Sequence, residues 1–191
     1  MLLNQAGIRY QMIPQNFDES YVLRNQPIKE ILKKIALKKM DSITLPAAVE
    51  NDFAFVLTAD TMGSCAGKIF GKPSSKEEAV DMIQSYKSGA ETYTAFCLDK
   101  KKFHNGSWNI EKRVEVCAGA QYIFDIPDYD IERYFELSQQ KGIDYLNVSG
   151  AVAIEEFGAQ FLKTLTGSYS AVVGLPMYEL RESLYHLGFV F

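Results

Sequence analysis

Basic clusters are missing from this 191-residue chain, and its formal net charge is −4. A duplex nucleic-acid binder normally presents a basic face, so that class is excluded, although a few lysines around one nucleotide are not. Histidine is scarce: His104 and His186 are the two present, too few for a histidine-based metal site. The three cysteines, Cys65, Cys97 and Cys117, are odd in number and widely spaced. They form neither a zinc pattern nor a disulfide framework. Each lies in or beside an apolar segment, the pattern of buried free thiols in a reducing cytoplasm. No stretch is long and apolar enough to span a membrane, and no signal-peptide pattern opens the chain. The expectation is a cytoplasmic protein with no membrane partner. Internal repeats and low-complexity segments are also lacking.

What is present is apolar surface. Hydrophobic residues make up 47% of the chain and aromatics 13%, enough for a sizeable core. The length suits one domain, or two lobes around one site. Residues 1–6 read as a short helix stopped by Gly7, and Ile8 to Ile13 reads as a strand by alternation. Pro27 suits the first turn of a helix, whose stripe is Ile28, Ile31, Leu32 and Ile35. Phe53 to Ala59 is apolar on both faces, as in an interior strand. Ser75-Lys76-Glu77-Glu78 is a capping box opening a helix to about Tyr86. Thr92 to Leu98 and Val114 to Phe124 read as strands, with a turn at Asn105-Gly106 between them. Pro127-Asp128 starts a helix with Ile131, Tyr134 and Phe135 inward, Val148 to Ile154 is strand-like, and an amphipathic helix follows Pro176. Strands alternating with helices give an α/β class, and the hairpin implies a mixed sheet.

Two places carry chemistry. The run Phe53 to Leu57 stops at Thr58-Ala59-Asp60-Thr61, and Gly71-Lys72-Pro73 follows after a short excursion. A carboxylate at a strand's carboxyl end with a lysine nearby suits a metal, a phosphate, or both. Each residue alone also reads as a turn cap or a solvated lysine. Counting 100° per residue from Ile28 puts Lys39 near the centre of the apolar stripe. A lysine there must find a partner or snorkel outward, unless it serves as a last-turn cation on the helix dipole. Lys33 and Lys38 already fill the solvent-facing role.

The words ADT…GKP, together with Gly167-Ser168-Tyr169-Ser170-Ala171-Val172-Val173-Gly174-Leu175-Pro176, resemble the Maf family of nucleoside triphosphate pyrophosphatases, in the family's order and from Leu2 to about Leu184. The resemblance implies an elongated two-lobed α/β fold, similar to the inosine-triphosphatase fold, with the site in the cleft. It also implies hydrolysis of a nucleoside triphosphate between its α- and β-phosphates, releasing the monophosphate and pyrophosphate with a divalent cation, Mg or Mn. Ile35-Ala36-Leu37-Lys38-Lys39 resembles the family's L-A-x-x-K segment, so Lys39 lines the phosphate site. Asp18-Glu19 stands where the family has a D-E pair, so Glu19 joins Asp60 as a metal ligand, although a loop acid on its own is usually solvated. Asp60 then orients or deprotonates the attacking water, and Lys39 and Lys72 neutralise phosphate oxygens. Gly167 to Pro176 holds no acid or base, and reads either as ligand contacts or as a tight turn locking the last helix.

Gly150-Ala151-Val152-Ala153-Ile154-Glu155-Glu156 aligns with the family's G-A-Y-G-I-Q-G, placing Glu155 at the base-specificity glutamine. A glutamate there belongs to a branch acting on 7-methyl-GTP, whereas Thr61 matches the thymidine/uridine branch. The two positions point to different nucleotides. The family opens with a strand and an S-x-S-x-R-R loop; this chain begins at Met1-Leu2-Leu3, where that loop would end. The expectation is therefore one Maf-like domain over 1–191, truncated at its N-terminus relative to the family. The family's D-K-A-G reads Asn147-Val148-Ser149-Gly150, so its lysine is Val148, and the segment after Ser88-Gly89 is about two residues short. These departures imply weak catalysis. They leave a second reading, a nucleotide-binding or regulatory relative linked to septum formation. A homodimer is the oligomeric expectation.

Overall fold

The computed structural model describes residues 2–18, 22 and 26–190. Its helices are α1 (Leu2–Gln5), α2 (Ile28–Asp41), α3 (Lys76–Ser85), α4 (Ile131–Gln140), α5 (Tyr169–Val173) and α6 (Met177–His186). Its strands are β1 (Phe53–Cys65), β2 (Lys68–Phe70), β3 (Ala90–His104), β4 (Ser107–Phe124) and β5 (Leu162–Gly167), forming one sheet in the order β2-β1-β3-β4-β5. The α/β class holds. Pairing within the sheet is antiparallel rather than mixed. β1 pairs antiparallel with β2, and β4 with β5. The Asn51 amide bonds Phe103 O and the Phe103 amide bonds Asp52 O, so the start of β1 lies against the end of β3. The β3–β4 turn is Asn105-Gly106, with φ 53° and 74°, the left-handed pair that a two-residue hairpin favours. The crossover helix α3 joins β2 to β3, which are not neighbours, so it creates no parallel pair.

The chain forms two compact units. Unit 1 takes Met1–Asp60, Thr94–Ala118 and Gly174–Phe191; unit 2 takes Thr61–Tyr93 and Gly119–Val173. In unit 1 both sheet faces are covered. Ala36 and Met40 of α2 pack on Val56 and Cys97, with Ala54 alongside. On the other face Leu180, Leu184 and Leu187 pack with Phe96 and Leu98, and Phe55 and Leu57 join them. This double burial explains why β1 lacks polar alternation. Burial also pushes the Cys97 thiol up to about 12, and all three cysteines are free.

In unit 2, α3 and α4 cover one face through Ala79, Ile83, Tyr134 and Phe135, packed with Tyr122 and Phe124. Ser75 caps α3 by accepting from the Glu78 amide at 3.2 Å. The return bond of the expected capping box is displaced by one residue: the Glu78 carboxylate accepts from the Ser74 amide and hydroxyl.

Two expected strands are absent. Ile8 to Ile13 has no ladder partner among the described residues, and only Ile8 and Ile13 within it are half-buried, a spacing that is not alternation. Val148 to Ile154 is broken by left-handed backbone at Gly150 and Ala151, φ 73° and 60°. Two short strands escaped the sequence reading. β2 has three residues, and β5 has half-buried leucines at 162 and 165, a spacing of three that is not strand alternation. The segment read as ligand contacts or a tight turn ends β5 and then forms the five-residue α5.

Candidate active site

Strand alternation aims Asp60 at the α2 face, behind Ala54, Val56 and Thr58. Thr58 Oγ1 donates to Ala36 O at 2.7 Å in the interior. That bond fixes the axial position of α2 on β1 three residues before Lys39. Ser42 closes the helix by donating its hydroxyl to Lys39 O at 2.8 Å. With helix and strand so registered, Lys39 Nζ donates to Asp60 Oδ1 at 2.7 Å. The two side chains are 14% and 13% exposed. Helical geometry therefore places Lys39 as the sequence suggested, while Lys38 faces solvent. An ion pair this sheltered is screened less than a surface pair, and removing one partner strands the other's charge.

Thr61 follows Asp60 in β1, is half-buried, and belongs to unit 2. Also in unit 2, the Gly71-Lys72-Pro73 loop leaves β2 with Pro73 buried and Lys72 exposed. It is bonded to the turn that precedes Glu155. The Gly150 amide donates to Gly71 O at 2.9 Å and Ser149 Oγ donates to Phe70 O at 3.0 Å. Glu155 is half-buried. Burial raises the Tyr134 phenol above its ordinary value, and the Glu155 charge adds to the shift. Val148, where the family has a lysine, is half-buried and apolar.

The structure thus brings together Lys39 with Asp60, and the Lys72 loop with the turn leading to Glu155. Glu19 lies outside the described residues. Among the described residues, no three His, Cys, Asp or Glu side chains converge as a metal site would require. Asp60 is then the one carboxylate of the expected pair that can be placed. A single carboxylate suits a magnesium-like ion held mainly by substrate phosphate and water. Among the described residues, the sizeable cavities include two that lie elsewhere. One, about 610 Å³, is an apolar space in unit 1 between Ile8, Ile13, Phe55 and Trp108. The other, about 430 Å³, lies in unit 2 beside Ser64, Glu91 and Thr166. Neither is lined by the candidate residues, so cavity size is a poor guide to the chemistry here.

Sequence reasoning missed Ser149, Tyr86 and Tyr134, which hold the turn before Glu155. A serine in a loop and two tyrosines on apolar helix faces carry no local signal of such bonds.

Comparison with known proteins gives one family model, described as Maf-like protein, which matches residues 1–187. A dTTP/UTP pyrophosphatase of Caldicellulosiruptor bescii is 32% identical over 98% of this chain and 89% of its own length. A protein of the same description from Syntrophus aciditrophicus is 33% identical, covering 98% of this chain and 84% of its own. A nucleoside triphosphate pyrophosphatase of Prochlorococcus marinus is 26% identical over 98% and 91%.

Proposed function

We propose, since this chain belongs to the Maf-like protein family, that it is a nucleoside triphosphate pyrophosphatase. Water attacks the α-phosphorus, the bond to the bridging oxygen breaks, and pyrophosphate leaves with the monophosphate as co-product. The observation that carries this reading is the Lys39–Asp60 pair at 2.7 Å, both side chains largely sheltered from solvent, within β1, which runs on to Cys65 rather than stopping at the carboxylate. The names of the relatives, all pyrophosphatases, support the reaction class.

Each residue has a distinct part. The Lys39 ammonium holds the Asp60 carboxylate in place, and that carboxylate orients the attacking water and accepts the proton it loses. Lys72, exposed on a loop fixed at Gly71, neutralises phosphate oxygens as charge moves toward the leaving group. A divalent cation, Mg or Mn, held by Asp60 and, through the family resemblance, Glu19, supplies further charge neutralisation when bound. Thr61 and Glu155 select the base. The protein acts in the cytoplasm on free nucleotides.

The test is pyrophosphate release from a panel of nucleoside triphosphates with and without added Mg or Mn. Asp60→Asn should lower the rate about 100- to 10,000-fold while the circular dichroism spectrum stays unchanged. Full activity in that variant would remove Asp60 from the mechanism. No pyrophosphate from any nucleotide with either metal would sink the enzymatic reading.

A further inference from the structure

The turn before Glu155 is held from below by two phenols. Tyr86, in the 3-10 turn after α3, is 1% exposed and donates to Gly150 O at 3.0 Å. Tyr134, in α4 and also 1% exposed, accepts from the Ala153 amide at 2.9 Å and faces the Ala153 carbonyl at 3.5 Å. These anchors flank Ala151, whose φ of 60° is the left-handed conformation that costs an L-residue energy. Such backbone persists only where the surroundings over-determine it. The approach of Tyr86 also demands glycine at 150, because an added Cβ would lie 1.9 Å from the phenol oxygen. On its outer side the same turn is bonded to Phe70 and Gly71. Lys72 and Glu155 therefore hang from one hydrogen-bonded assembly, and the hydroxyls of two helices fix its conformation.

Ring packing alone does not need those hydroxyls. Phe124, Phe135 and Phe157 fill neighbouring space with no polar tip, and α4 could bury a phenylalanine at 134 equally well. Burial raises both phenols, so they stay protonated and remain donors through the neutral and mildly alkaline range. A strained turn with fixed donors is suited to presenting one side chain in one place.

We propose that Tyr86 and Tyr134 are positioning residues for nucleotide selection, holding the Gly150–Ala151 turn so that Glu155 and the Lys72 loop keep a single presentation. The proposal rests on the reading of Glu155 and Lys72 as substrate-facing groups.

The experiment uses the full chain as Tyr86→Phe and Tyr134→Phe, each removing one hydroxyl and keeping the ring. Three quantities are measured: kcat and KM for dTTP, UTP, GTP and CTP; equilibrium affinities of the same four triphosphates; and amide hydrogen exchange without nucleotide. In each variant the ratio of best to worst nucleotide should fall about tenfold, the worth of one such hydrogen bond, with KM moving more than kcat. Exchange at residues 149–155 should quicken about tenfold while amides of α3 keep their rates. Should a tyrosine variant fail to fold, Ser149→Ala loosens the same turn from the side bonded to Phe70, with a fall of about threefold expected. Equal scaling of all four nucleotides, with exchange at 149–155 unchanged, would overturn the proposal and leave the tyrosines as packing. A parent chain that binds nucleotides but releases no pyrophosphate would sink the enzymatic reading alone. The affinity ratios and exchange rates would still decide the clamp.

Discussion

At the scale of single residues, the most informative position is Lys39. Its place was legible because a helix repeats locally: the stripe Ile28, Ile31, Leu32, Ile35 fixes where position 39 must point. The structure puts it 14% exposed against Asp60. Glu155 is the opposite case, since its surroundings depend on hydroxyls that are not local in sequence. A half-buried carboxylate accepts hydrogen bonds and donates none, so it favours a base edge with N–H donors and disfavours the carbonyls of thymine and uracil. Glu155→Gln should shift relative kcat/KM toward dTTP and UTP by about 1–3 kcal/mol. Unchanged preferences across a nucleotide panel would show that position 155 does not read the base. Cys97 supplies a pH test. Its thiol is raised by burial from 9.0 to about 12. The folded state thus holds this proton more tightly than the unfolded chain. The associated stability is fully present below 9.0 and is lost as pH rises toward 12. Denaturant midpoints measured at pH 7 and pH 10.5 should differ less in Cys97→Ala than in the parent.

At the scale of elements, the long regular pieces were legible and the irregular one was not. α2, the β3–β4 hairpin and α6 announce themselves by period, by Asn-Gly and by Pro176. The segment 148–154 has strand-like composition, yet bonds to Tyr86 and Tyr134, 64 and 19 residues away, bend it into a left-handed turn. Tertiary hydrogen bonds override a local preference in such a case. The close approach of that turn to Tyr86 gives a sharp stability test. Gly150→Ala introduces both an unfavourable left-handed alanine and a clash 1.9 Å from the phenol oxygen. It should cost about 3 kcal/mol or more in the parent. In a Tyr86→Phe background the clashing oxygen is gone, and the same substitution should cost about 1–2 kcal/mol less. Strict additivity of the two changes in denaturant melts would place the clash elsewhere.

At the scale of the whole molecule, composition foretold a chain with ample core, and the family words foretold its class. The way the chain divides was not legible, because unit membership is decided by contacts between distant segments. Unit 1 combines the first sixty residues with a middle stretch and the last helix, α6. Leu180, Leu184 and Leu187 cover the face of β1 that carries Phe55 and Leu57. A chain ended after Gly174 should therefore lose amide protection in β1 and become insoluble, whereas unit 2's own core residues all precede the cut. Soluble protein with β1 protection intact would contradict this dependence. The same arrangement constrains synthesis. β1 leaves the ribosome well before α6 does, an interval on the order of ten seconds at ordinary elongation rates. For that time one apolar face of the strand lacks the helix that covers it. The window for aggregation is thus set by translation speed, and slow codons between the two segments would widen it without changing a single residue.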